Sequence, residues 1–313
     1  MKKILKSGMM TGLAIMAIPV PGIKDTVISI LQKIFDIDNV TIQPIYCFIF
    51  GLILFMICLV SYINYNNKER IINIVGFGNN EYWEKNNKNV KTIDVRDWNK
   101  KEDKNAFIKK KIKEIDGYIN KYLASGLSYT SIAPIPIVAL FGTHFSKIKI
   151  NEYYEYENKS SKVKKLNNNL IFPKLRLEVI NKNSNENYAL ISVSTTANIV
   201  EHQYSQFGDC LHYKNRILKP HQNAIYSKMQ LFNYSNKIIE QINKISSNEK
   251  IKKIYIIFAT QSPLPFEVGK QINERIAKEV IVCHYQNDSL KPYEWGIVLN
   301  GKNKEKYIDM KGE

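Results

Sequence analysis

Apolar and polar positions along this chain fall into two regimes. Pro44 to Tyr65 reads PIYCFIFGLILFMICLVSYINY, almost unbroken apolar and without a charged residue. About 20 such residues suffice to cross a bilayer as a helix that pairs its backbone groups internally. Tyr46, Tyr62 and Tyr65 stand at its two ends, where aromatic rings favour the headgroup zone. Gly8 to Ile23 is a shorter apolar run, broken by Pro19 and Pro21 and preceded by Lys2, Lys3 and Lys6. An amphipathic stretch, Lys24 to Phe35, follows it. Three readings fit that run: a kinked crossing helix, a signal peptide, or an interfacial helix. The crossing helix is favoured because a second span follows directly, making 1–66 a transmembrane hairpin of two helices. Lys2, Lys3 and Lys6 flank one outer end and Lys68 and Arg70 the other. The loop between sets Lys24 and Lys33 against Asp25, Asp36 and Asp38. The bias toward positive charge on the inner side then places both ends in the cytoplasm. A cleaved signal leaves the chain after Tyr65 on that same side.

Beyond the hairpin the pattern changes to short β-type runs alternating with helical spacing. Residues 67–90 are polar and Asn/Lys-rich and read as a linker. Lys91 to Val95 is a short strand, and Phe107, Ile108, Ile112, Ile115, Ile119 and Leu123 recur at helical spacing. Ser128 to Ile132 reads as a strand, Pro136 to Phe145 as a helix and Lys147 to Tyr154 as a strand. This β-α-β-α-β order is that of a parallel doubly wound unit. The Lys/Asn/Ser stretch Glu157 to Asn169 reads as a loop dividing two halves, 91–160 and 161–313. In the second half, strands are expected at Leu175 to Ile180, Tyr188 to Ser194, Ile254 to Ala259, Val280 to Tyr285 and Trp295 to Leu299. Helices are expected at Asn223 to Ile245 and Pro263 to Ala277.

One phrase occurs twice. Tyr129-Thr130-Ser131-Ile132-Ala133-Pro134-Ile135-Pro136 ends a β run and is followed by Gly142. Ile256-Ile257-Phe258-Ala259-Thr260-Gln261-Ser262-Pro263 ends another and is followed by Gly269. In both, a Gly sits six positions after a Pro, and the next β run ends in tyrosine, at Tyr153 and Tyr285. A duplicated strand–loop–helix unit implies two similar half-domains whose paired loops hold one ligand. In open parallel sheets ligands sit beyond the carboxyl ends of strands, where helix N-termini offer N–H groups and a positive dipole to phosphate. The candidate binding residues are therefore Ser131, Ala133 and Pro134, then Ser194, Thr195 and Thr196, then Thr260, Gln261, Ser262 and Pro263. Tyr153, Tyr154 and Tyr285 end neighbouring strands and are candidates for stacking on bases. Ordinary amphipathic packing is the competing reading for each tyrosine.

Charge and chemistry narrow this further. The chain of 313 residues carries a formal +16. Five Lys and three Asp give the first 66 residues +2, leaving +14 beyond them. A basic soluble part suits a polyanion or an anionic bilayer surface. The abundance of Lys, Asn, Ile and Tyr also fits AT-rich coding, so charge alone assigns no nucleic-acid partner. Cys47, Cys58, Cys210 and Cys283 imply no disulfide framework and are compatible with a reducing compartment. No GxSxG, Walker A, HExxH or CxxC pattern occurs. His202, Cys210, His212 and His221 are metal-binding types, but their spacing fits no compact zinc knuckle, so no metal is expected. Glu152 and Glu155 read as a solvated strand end. The chain is expected not to be an enzyme and to need no cofactor. The enzymatic alternative is a membrane-anchored enzyme that cleaves the ligand its loops hold, with Ser131 or Thr195 positioning it. A scaffold that recruits a partner to the membrane is a third reading.

Ser131-Ile132-Ala133-Pro134-Ile135-Pro136 with Gly142 resembles the "APIP…G" signature of SAVED domains. Phe258-Ala259 through Pro263 and Gly269, ending Cys283-His284-Tyr285, is similar to the signature of their second half. The likeness runs over about residues 91 to 300. It implies an α/β fold of two fused Rossmann-like (CARF-like) halves binding a cyclic oligonucleotide second messenger. Two spans ahead of such a domain resemble the membrane-spanning effectors of bacterial CBASS antiphage defence. The resemblance then implies a cyclic di- or trinucleotide made by a CD-NTase, and a homo-oligomer formed on ligand binding; for the enzymatic alternative it makes the cleaved ligand this cyclic oligonucleotide, as in a ring nuclease. It further implies inner-membrane lipid disrupted by the hairpins, with abortive infection as the outcome and no duplex nucleic acid as partner. The family pattern places an Arg and a Trp after Tyr153-Tyr154, where this chain has Glu155-Tyr156-Glu157.

Overall fold

The structure is a computed structural model. It describes residues 2–17, 44–66, 69–78, 89–122, 126–157, 162–182, 184–287 and 291–310. It divides into two compact units, Met1–Glu69 and Arg70–Glu313.

The first unit is a helix pair, α1 (Lys2–Ala17) and α2 (Pro44–Asn66). The helices run antiparallel and meet at glycines. A Cβ on Gly8 would lie 2.5 Å from Cys58 Sγ, one on Gly12 2.9 Å from Gly51 O, and one on Gly51 2.7 Å from Gly12 O. Small residues of this kind let two backbones approach without side chains between them. The outward side chains are apolar as well: Ile4, Met10, Leu13, Phe50, Ile53 and Ile57 are all exposed. Among the described residues no helix is long and apolar enough to cross a membrane. In α2, side chains are described only over 48–63, short of the about 20 residues a crossing needs. The segment between the helices, including the amphipathic Lys24 to Phe35 and the end of the first apolar run, lies outside the described residues.

The second unit is built on two sheets. The first holds β1 (Ile71–Val75), β2 (Val90–Asp94), β3 (Leu127–Ile132), β4 (Ile150–Glu157) and β5 (Lys162–Lys165), in the order β2-β1-β3-β4-β5. All neighbours are parallel except β4 and β5. The second holds β6 (Arg176–Ile180), β7 (Tyr188–Ser194), β8 (Leu211–Arg216), β9 (Lys253–Ala259), β10 (Glu279–His284), β11 (Trp295–Val298) and β12 (Tyr307–Asp309). Its order is β12-β11-β10-β9-β7-β8-β6, with a parallel centre and antiparallel β6, β11 and β12. The helices are α3 (Lys104–Tyr122), α4 (Ile135–His144), the short α5 (Glu201–Tyr204), α6 (Lys228–Ser246) and α7 (Pro263–Gln271). The two halves are Rossmann-like, but each sheet is mixed and not wholly parallel.

The expected linker over 67–90 is corrected by β1. Ile71-Ile72-Asn73-Ile74-Val75 is the buried strand between β2 and β3. A strand covered on both faces is a continuous apolar run without alternation, and this one is short and set among polar residues. The boundary near residue 160 also moves, because β5 completes the first sheet from within the stretch expected as a loop.

The halves lock together by exchanging helices. Helix α4, from the first half, packs on β10 and β11, while α7 packs on β3 and β4. The two helices cross at the duplicated glycines. A Cβ on Gly142 would lie 2.1 Å from Phe266 O, and one on Gly269 2.0 Å from Ala139 O. The recurring glycine therefore serves backbone approach of two helices. The recurring proline sits at the first turn of each helix, where its missing N–H costs nothing. One apolar core runs through both halves. Phe266 of α7 stacks on Tyr129 of β3 at 3.8 Å between ring centroids.

Candidate ligand-binding cleft

The reciprocal packing brings carboxyl ends of strands from both sheets to one place. A cleft of about 380 Å³ opens there. The loop after β3 supplies Ser131, Ala133 and Pro134, and the loop after β9 supplies Thr260, Gln261 and Ser262. Thr196 follows β7, Glu155 and Tyr156 end β4, and His284 ends β10. Phe77 stands at the end of β1, and Gln222 and Asn223 close the wall from the segment after β8. A second cavity of about 240 Å³ shares Glu155, Asn223 and Gln261 with the first and adds Lys164, Lys165 and Tyr226.

Hydrogen bonds between the loops hold this wall in shape. Ser262 Oγ lies 2.9 Å from the Ser131 carbonyl and 3.4 Å from Glu155 Oε2, so one hydroxyl spans the two halves. Thr195 Oγ1 donates to Thr260 Oγ1 at 2.7 Å, while the Thr195 and Thr196 N–H groups both donate to Ala259 O. Gln261 grips Ile225 by both backbone groups, accepting from its N–H at 2.5 Å and donating to its carbonyl at 3.1 Å. That fixes the Asn223 segment, where Asn223 itself adopts a positive φ of 60°, a conformation asparagine tolerates better than most residues. Ser194 Oγ accepts from Ile199 N–H and so shapes the turn after β7. Helices α4 and α7 both begin at the cleft, and neither N-terminus is closed by a side-chain cap. Ser131 Oγ is buried without a hydrogen-bond partner.

Electrostatically the wall is unusual for its acid. Burial pushes the Glu155 carboxyl up to about 8, against the nearby Ser262 hydroxyl, which lowers it. Burial lowers His284 to about 4, so its ring is neutral near pH 7.

The expected site residues divide cleanly. Ser131, Ala133, Pro134, Thr196, Thr260, Gln261 and Ser262 line one cleft. Ser194, Thr195 and Pro263 are buried behind them and support the loops. The tyrosines expected to stack do not line it. Tyr153 is a core residue with no exposed surface, its hydroxyl donating to the buried carboxylate of Glu267. Tyr285 is exposed, but its hydroxyl accepts from Gln203 and donates to Asn287 away from the cleft. Tyr154 lies on β4 outside the cleft wall. The aromatic rings that do line it are Phe77 and Tyr156. Phe77 escaped notice because β1 and the residues after it read as linker. The Glu152 and Glu155 pair also separates: Glu152 bonds Lys165 and Lys228, while Glu155 enters the cleft. Its position directly after Tyr153-Tyr154 was the one signal available.

Among the described residues no group of His, Cys, Asp and Glu is placed to hold a metal. His212 bonds Ser192 in the sheet interior, and His221 bonds the Lys219 carbonyl. Burial pushes the Cys210 thiol up to about 12, and Cys283 is buried against Met310.

Comparison with known proteins agrees with this architecture. The family described as "SAVED: SMODS-associated and fused to various effectors sensor domain" matches residues 108–299. No curated protein matches the chain. The fold is similar to that of the Acinetobacter baumannii Cap4 SAVED/CARF-domain containing receptor with the cyclic trinucleotide 2'3'3'-cAAA, at 12% identity and a TM-score of 0.54. That match covers 80% of this chain and 56% of the receptor. The same receptor with 3'3'3'-cAAA matches at 11% identity and a TM-score of 0.51, over 83% of this chain and 55% of the receptor. The chain thus spans a little over half the length of these receptors, and the likeness is one of fold.

Proposed function

We propose a function on the premise that this chain belongs to the SAVED family of sensor domains: it senses a cyclic oligonucleotide and acts on a membrane. The observation that carries the sensing is convergence. Two loops whose equivalent positions are 129 residues apart in sequence, at Ser131 to Pro134 and Thr260 to Pro263, wall a single cleft with two helix N-termini. The positive ends of the two helix dipoles suit the phosphates of a ring. Hydroxyls and amides at Thr196, Thr260, Gln222 and Asn223 offer hydrogen bonds to sugars and base edges. Phe77 and Tyr156 offer aromatic faces to bases. The ligand is a cyclic di- or trinucleotide made by a CD-NTase, as in CBASS antiphage defence. The chain works as a receptor that leaves the ring uncut and needs no cofactor.

The effector is the helix pair. Two helices apolar on their outward faces, packed through glycines, suit a hydrocarbon surround better than water. The backbone of α2 runs for 23 residues, about 34 Å at 1.5 Å per residue, close to the ~30 Å of a bilayer core. The pair sits in the bacterial inner membrane with the C-terminal unit in the cytoplasm. Ligand binding favours an associated state of the sensors, which gathers the hairpins and disrupts the bilayer, with abortive infection as the outcome.

The test uses the full-length chain in anionic phospholipid vesicles loaded with a self-quenching dye. Cyclic di- and trinucleotides are added singly, with linear trinucleotides as controls. One ring is expected to release the dye and the linear forms are not. Ring binding without leakage would remove the membrane role and keep the sensor.

A further inference from the structure

Glu155 is an acid in a cleft read above as a site for a polyanion, and its immediate geometry says how the two coexist. Ser262 Oγ has one proton and two acceptors within reach, the Ser131 carbonyl at 2.9 Å and Glu155 Oε2 at 3.4 Å. The shorter contact takes the proton. Ser262 Oγ then faces Glu155 as an acceptor, and two acceptors meet unless the carboxyl carries a proton. An ionised Glu155 would also oppose phosphate in the same cavity, whereas the neutral acid spends its one proton on Ser262 Oγ and brings no charge.

We propose that Glu155 meets the anionic ligand as a protonated acid, its proton held against Ser262 Oγ and its charge removed from the cavity, so that ligand and proton bind together. This rests on the reading of the cleft as a phosphodiester site. The surroundings support it from every side. On β4 itself, Tyr153 is buried behind Glu155 and Tyr156 lies ahead in the cleft wall. From β3, the Tyr129 hydroxyl is pushed up by burial, and from β10, His284 is held neutral by burial. From α7, the buried Glu267 is engaged by Tyr153 and by Gln271. From β5, Lys164 and Lys165 line the adjoining cavity, with Lys165 ion-paired to Glu152 at 2.9 Å. Among the described residues of the main cleft wall, Glu155 is the one carboxyl.

The sign follows from the carboxyl's raised value of about 8. Below it the acid is neutral and the binding form is fully present. Above it the neutral fraction falls tenfold per pH unit. The affinity of the full-length protein in detergent for cyclic triadenylate is therefore expected to fall about tenfold between pH 7 and pH 9. Calorimetry at pH 8.5 in buffers of different ionisation enthalpy should register uptake of roughly 0.8 proton per ring bound. Glu155→Gln keeps a donor at the same place without a proton to lose. It is expected to bind as the wild type does at pH 7, with a flat profile to pH 9 and no Glu155-linked uptake. Glu155→Ala is expected to bind more weakly at pH 7 and also to lose the pH dependence.

A wild-type affinity that is flat or rises from pH 7 to pH 9, or a Glu155→Gln profile that falls as the wild type's does, overturns the proposal and leaves the sensor standing. If neither cyclic triadenylate nor a panel of other cyclic di- and trinucleotides binds the folded wild type, the sensor reading falls and this inference with it.

Discussion

Replacing Gly142 by alanine tests why the duplicated phrase carries a glycine. The added Cβ would lie 2.1 Å from Phe266 O, 3.0 Å from Phe266 C and 3.1 Å from Lys270 N. Ordinary contact begins near 3.4 Å, so α4 and α7 must part by more than 1 Å along that line. The obstructing atoms are helix backbone and cannot rotate away. Overpacking of this kind costs about 1–3 kcal/mol, and a backbone obstruction belongs at the upper end. Alanine returns about 1 kcal/mol through its helix propensity. The net loss is about 2 kcal/mol, which lowers Tm by about 4–8 °C in a unit of this size. Gly117 of α3 supplies the control. A Cβ there meets nothing within 4 Å, so Gly117→Ala should raise Tm by a few degrees, near ~1 kcal/mol. Thermal unfolding followed by the fluorescence of the buried Trp98 and Trp295 reads both variants. Because α4 and α7 begin at the cleft, Gly142→Ala should also weaken ligand binding. A Gly142→Ala protein that melts with or above the wild type would refute the helix crossing and the account of the signature built on it.

Phe77 is partly exposed at the cleft wall, so Phe77→Ala should leave Tm nearly unchanged. It should weaken ring binding by the ~1–3 kcal/mol of one base stack, a five- to more than hundredfold rise in Kd by titration. Tyr153→Phe should do the reverse. Removing the hydroxyl that bonds buried Glu267 costs about 1–3 kcal/mol in urea unfolding, with ring affinity held within twofold. A Tyr153→Phe protein with wild-type stability and lost binding would restore the stacking role expected from the sequence. A cyclic trinucleotide incubated with the protein and resolved by chromatography should be recovered intact. Ring opening that depends on the cleft residues would turn the receptor into an enzyme.

Much of the second unit was legible because its signals are local. The strand ending at Ile132, the helix opening at Pro263 and the isoleucine spacing of α3 depend on near neighbours. Ser131 and Ser262 could be picked out because a strand end before a helix start is a local pattern with a known use. What escaped depends on contacts distant in the chain. β1 reads as linker because five residues among polar neighbours give no period. Its identity comes from pairing with β2 and β3 on either side. Tyr153 and Glu155 lie two positions apart on one strand, yet one is core and the other lines the cleft. What separates them is coverage: Phe266 packs edge-on to Tyr153, while Asn223 and Gln261 share the cavity wall with Glu155. The recurring glycines were visible as a repeat, but their reason appears only once two halves exchange helices.

Everything proposed for this chain depends on the cleft taking a cyclic oligonucleotide. The most direct measurement is equilibrium binding of labelled cyclic di- and trinucleotides to the full-length chain in detergent. Thr196→Trp, which fills the cleft from its wall, serves as the blocked form. Saturable binding of one ring is expected, displaced by the same unlabelled ring and not by its linear form, and absent in Thr196→Trp. A folded wild-type protein that binds none of the rings, or a Thr196→Trp protein that binds as well as the wild type, would contradict it.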